Sequence, residues 1–216
     1  PKGTGFSAAE TPQEERAIVP YAAHRECDCA QLQREFLGML SAHERPRLLL
    51  LRNPKAAAND TFAPPPSAET TLYEWDSPDR ARMAYCLSRE FGRESFDGVA
   101  VQDVLGLLEA PWAAAAEWAA LLKTGAALLA MDAQARPIME QTDLWRFNSE
   151  SYRALFHPLL GLEIRRAIHD RPCLLLPEAP DELVYYKESD PCFSRSAALA
   201  VKAQPIQFER FTWNME

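Results

Sequence analysis

The sequence predicts a three-layer α/β fold: a mainly parallel β-sheet between helical layers, with an antiparallel edge. Three observations carry this. Short strand-like apolar runs alternate with helical patterns from residue 46 to residue 203, the order that builds parallel sheets. The run Leu48–Leu51 is apolar at every position, as a strand buried on both faces should be. The last two strand-like segments, 171–179 and 194–203, are joined by a stretch without a helical pattern. That places an antiparallel pair at one edge.

Each element follows from local signals. Residues 1–16 are polar and rich in small side chains, and are expected to be mobile. Residues 27–43 carry Leu32, Phe36, Leu37 and Leu40 at helical spacing. Pro46 ends that helix, and "RLLLL" begins the first strand. Prolines 64–66 make 63–69 a loop, because they remove backbone donors and clash with a preceding turn. "TTLYEW" (70–75) is β-branched and aromatic, hence a strand. Ser77-Pro78 opens a helix over 77–91, and 96–105 is the next buried strand. Residues 110–125 read as a helix from Pro111 to Gly125, and 126–133 as a strand. A further helix covers 149–160, with Ser149 as its cap and Pro158 as its break.

Composition narrows the function classes. The 216 residues are 47% hydrophobic and 25% charged, enough for one core domain. A net charge of -8 argues against a general nucleic-acid or anionic-membrane binder. No stretch reaches the roughly 20 apolar residues of a membrane helix, and Ala110–Leu122 is interrupted by Glu117. The first residues lack the apolar segment of a secretory signal, and the chain starts without Met, which suggests a processed product or a piece of a longer protein. Five cysteines form no evident disulfide framework, so a reducing cytoplasm is expected. His24, Cys27 and Cys29 fall short of the four-ligand set of a structural zinc site, so no metal is expected. His157 and His169 stand outside any recognisable catalytic motif. Arg165, Arg166 and Arg171 form a modest basic cluster that suits a solvated surface or an anion contact.

Residues 95–133, "SFDGVAVQDVLGLLEAPWAAAAEWAALLKTGAALLAMDA", resemble class I S-adenosylmethionine-dependent methyltransferases of the type 11-like group. The residues that carry the likeness are Phe96, Asp97, Asp103, Val104, Leu105, Pro111, Leu121, Leu122, Lys123 and Gly125. "TDLWRFNSESYRALF" (142–156) resembles the next family segment, in a form common near glycan-biosynthesis enzymes. The likeness implies a Rossmann-like methyltransferase fold over 46–203, after a flexible and helical extension (1–45) and before a tail (204–216).

In such a sheet, the carboxyl ends of the strands open onto the ligand crevice. The cofactor side is therefore expected to comprise Arg52 and Asn53 after the first strand, Glu74 and Asp76 after the second, and Gln102 and Asp103. Glu74 or Asp76 would grip ribose hydroxyls; the plainer reading is an exposed strand end running into a turn. Asp103 faces ligand in the family pattern, or caps a short turn. Asp132, Trp145 and Arg146 form the expected substrate side, although packing also accounts for Trp145 and Arg146.

The family's first strand leads into a Gly-x-Gly-x-Gly loop. Here the turn reads Arg52, Asn53, Pro54, Lys55 and then alanines. Each alanine adds a Cβ where backbone should approach the ligand, and Pro54 removes a donor. The expectation is a methyltransferase-like domain that has lost S-adenosylmethionine binding. It would act as a scaffold, regulatory or partner-binding module for a protein partner or adjoining domain, in a glycan-related pathway. The alternative is a divergent active methyltransferase with S-adenosylmethionine as cofactor, held by Asn53, Glu74, Gln102 and Asp103, and a small-molecule or glycan acceptor.

Overall fold

The computed structural model describes residues 28–55, 62–75, 86–134, 144–173 and 192–207. Among the sequence expectations, the N-terminal segment, His24, Cys27, Asp76, most of the 77–91 helix and residues 174–179 lie outside the described residues.

Helix α1 (Asp28–Leu40) buries Cys29, Leu32, Phe36 and Leu40, one stripe at steps of three and four. The strands are β1 (Arg47–Arg52), β2 (Glu69–Glu74), β3 (Phe96–Gln102), β4 (Leu122–Ala133), β5 (Leu162–Cys173) and β6 (Cys192–Lys202). Between them lie α2 (Leu87–Phe91), α3 (Pro111–Leu121) and α4 (Ser149–Leu155). The sheet order is β2-β1-β3-β4-β6-β5. β1 pairs parallel with both β2 and β3, and β3 with β4, while β6 runs antiparallel to β4 and β5. The chain steps from β1 outward to β2, then back across β1 to β3. That reversal opens a crevice at the carboxyl ends of β1 and β3.

Alternate side chains build two cores, as the two-residue period of a strand requires. Leu49, Leu51, Val99, Val101, Leu128 and Ala130 pack with Trp118 of α3 and Tyr152 of α4. Leu48, Leu50, Ala100, Leu129 and Met131 pack with Leu32, Phe36 and Leu40 of α1, and with Phe62. Helix α1 sits so close that a Cβ on Gly98 would lie 2.6 Å from Leu40 Cδ2 and 3.1 Å from Phe36 Cζ.

Several boundaries move from their sequence expectations. Helix α3 stops at Leu121, and Gly125 sits inside β4 with φ +89, at an irregularity in the β3–β4 register. Strand β3 ends at Gln102 because Asp103 turns left-handed, φ +53. Asn148, not Ser149, caps α4, its side chain accepting from Ser151 N–H. Pro158 opens a separate 3-10 turn, 158–160, closed by Gly161 at φ +75. The strand before β6 begins at Leu162 rather than at Arg171; the mixed polar pattern of 162–170 hid that start. Among the described residues, no helix joins β1 to β2: 53–55 turn and 62–68 form a loop. Among them, too, no helix is long and apolar enough to cross a membrane.

Candidate functional site

The register aligns the strand ends. Glu74, Arg52, Gln102 and Met131 form one row across β2, β1, β3 and β4. Asn53, Asp103 and Asp132 come one residue later. Five of the six expected cofactor-side residues and Asp132 therefore stand along one edge; Asp76 lies outside the described residues.

Most of these groups meet protein partners. Arg52 donates from Nε and Nη2 to Glu74 Oε1, at 3.0 and 2.5 Å. Gln102 is buried, and its Oε1 accepts from Phe62 N–H at 3.1 Å. That bond seats the loop before β2 over the end of β3, with the Phe62 ring edge-on to Phe36. Asn53 N–H donates to Gln102 O, and Asn53 Oδ1 accepts from Lys55 N–H, folding the turn on itself. Asp103 is 1% exposed, and its Oδ1 accepts from Arg195 Nη1 at 2.6 Å. Its buried Oδ2 has no hydrogen-bond partner among the described residues.

Asp132 Oδ2 accepts from Gly106 N–H at 3.2 Å. Gly106 O in turn accepts from Leu144 and Trp145 N–H, so the expected substrate-side segment hangs on the turn after β3. Trp145 donates from Nε1 to Leu108 O and lies edge-on to Trp112. Arg146 Nη1 donates to Trp145 O at 3.0 Å.

Two features escape a reading of the sequence alone. Arg195 stands at the start of β6, among small residues, and only the fold carries it to Asp103, 92 positions away. Ser149, His169 and Gln134 also converge. Ser149 Oγ lies 2.9 Å from His169 Nε2, and His169 Nδ1 lies 2.9 Å from Gln134 Oε1. With the Gln134 oxygen accepting from Nδ1–H, Nε2 can accept the Ser149 hydroxyl proton. Tyr152 stacks between Phe147 and Phe156. Burial, with the nearby Asp132 charge, pushes its phenol well above the usual value.

The strand order resolves the architecture. No protein-family model and no curated protein matches the chain. Solved structures do. One is a candidate methyltransferase from Bacillus halodurans C-125: 14% identity, TM-score 0.52, covering 82% of this chain and 99% of that one. Another is a SAM-dependent methyltransferase from Archaeoglobus fulgidus: 10% identity, TM-score 0.50, covering 81% and 92%. The chain has the class I methyltransferase fold. Within that methyltransferase fold, the turn after β1 carries Asn53, Pro54 and Lys55.

Proposed function

We propose that this chain is a methyltransferase-fold domain that does not hold S-adenosylmethionine and works as a scaffold or regulatory module for a protein partner. The observation that carries the reading is the Arg52–Glu74 pair. The acidic group at the end of β2 already accepts two hydrogen bonds from the guanidinium at the end of β1. A ribose would have to share that carboxylate with the guanidinium or displace it. The glycine-free turn 53–55 supports the same reading, since it offers side chains and a proline where a cofactor needs bare backbone. A glycan-related setting rests on Trp145, Arg146 and Phe147 alone.

The test is calorimetric titration of the folded chain with S-adenosylmethionine and S-adenosylhomocysteine to millimolar concentration. The expected result is no heat and no shift in thermal unfolding. Micromolar binding would overturn the reading, and at millimolar ligand would raise stability by about 4 kcal/mol.

One observation favours the active alternative. The Ser149–His169–Gln134 relay could take a proton from an acceptor hydroxyl. In that reading S-adenosylmethionine is the cofactor, and the same titration gives micromolar binding.

A further inference from the structure

Beyond the crevice, the antiparallel edge carries an unassigned pair of thiols. Cys173 is the last residue of β5 and Cys192 the first of β6, and the register sets them directly opposite. Residues 174–191 separate them in sequence. Directly opposed residues of an antiparallel pair have Cα atoms about 4.5 or about 5.5 Å apart, and their side chains leave the same face of the sheet. Disulfides span Cα separations of about 4.4–6.8 Å, so either kind of rung suits one. Both residues are half-buried, so a small oxidant can reach them. Neither is in a disulfide in this structure, and Cys86 is exposed. The Cys173 thiol is pushed above its ordinary value by burial and by the neighbouring Cys192, as two close thiols require.

We infer that Cys173 and Cys192 form a cross-strand dithiol site that closes to an intrachain disulfide when it meets a small-molecule disulfide such as oxidised glutathione. One cysteine thiolate attacks a glutathione sulfur. The glutathione S–S bond breaks, one glutathione thiolate leaves, and a protein–glutathione mixed disulfide remains. The opposed cysteine loses its proton and attacks the protein sulfur of that bond, releasing the second glutathione. The two cysteines are oxidised by two electrons in all, and one glutathione disulfide is reduced to two thiols. Closure would fix the end of the β5–β6 ladder, three residues beyond Asp170 and Arg195, and so brace the strand that supplies Arg195 to Asp103.

The experiment equilibrates the whole chain in a glutathione redox buffer, quenches it with an alkylating agent and maps peptides without reduction. Trypsin cuts after Lys187, so the two cysteines fall in separate peptides unless they are joined. The expected product links Cys173 to Cys192, at least tenfold over the mixed disulfide at either position, under conditions where Cys86 carries glutathione. Cys173→Ser and Cys192→Ser should each remove the linked peptide and leave a stable mixed disulfide on the remaining cysteine. Wild-type protein in which the two thiols stay alkylated, or carry glutathione separately, while Cys86 is modified would overturn the inference. Circular dichroism of both variants separates a lost pair from a lost fold.

Discussion

Lys202 allows a quantitative test of the packing that holds α3 to the sheet. It is 2% exposed at the end of β6, and its Nζ donates to Ala119 O at 2.8 Å and to Leu160 O at 3.0 Å. Ala119 lies in the last turn of α3, where carbonyls lack intrahelical partners, and Leu160 ends the 3-10 turn. One ammonium thus serves two segment ends at their negative poles. Burial lowers its pKa from 10.5 to about 8, against a smaller opposing effect of Glu94. Between those values the unfolded chain binds more protons than the folded one, so stability rises with pH. The full difference corresponds to about 3 kcal/mol, and about 2 kcal/mol of it should be gained by about pH 9.5. Urea unfolding of wild type and Lys202→Met, run in parallel from about pH 7 to about pH 9.5, isolates this contribution from other titrating groups. The stability gap in favour of wild type should widen by about 2 kcal/mol. A gap constant to within about 0.5 kcal/mol would refute the reasoning, because a shifted buried amine must couple to pH.

Other perturbations have equally definite outcomes. Arg195→Ala strips the partner from Asp103 Oδ1 and should cost about 3–5 kcal/mol in urea unfolding, partly restored by adding Asp103→Asn. Gly98→Ala drives a Cβ into Leu40 and Phe36 and should cost about 1–3 kcal/mol, with helix α1 the first element to lose amide protection in hydrogen exchange. Burial alone would raise the Asp97 carboxyl. Its hydrogen bonds from Lys123 and Arg47 N–H, with the Lys123 charge, outweigh that and hold it below the usual value. Its contribution is therefore present above the unfolded value and lost as pH falls through the folded one. Asp97→Asn should flatten the acid limb of a stability–pH curve.

The layers were legible in local patterns of burial and spacing. Leu48–Leu51 and Phe96–Gln102 are buried throughout, and runs of that length and make-up suit the middle of a covered sheet. The α1 stripe, Pro111 at the start of α3 and the glycine-free turn after β1 were legible for the same reason, since each is a local property of a few adjacent residues. Arg52, Glu74 and Gln102, with Asp103 and Asp132 one residue further on, could be assigned to strand ends from the same local signals.

Pairing was left to the tertiary structure. That Arg52 answers Glu74, that Arg195 answers Asp103, that Lys202 bridges α3 and the 3-10 turn, and that Cys173 faces Cys192 all depend on strand order and register. β5 shows why. Its pattern is half-buried and broken by three Arg and His169, so no hydrophobic period marks it, and only its ladder with β6 defines it. A periodicity reports which face of an element meets the core. It carries no information about which distant side chain will stand opposite once the sheet has closed, and the chemistry of this edge is set by those oppositions.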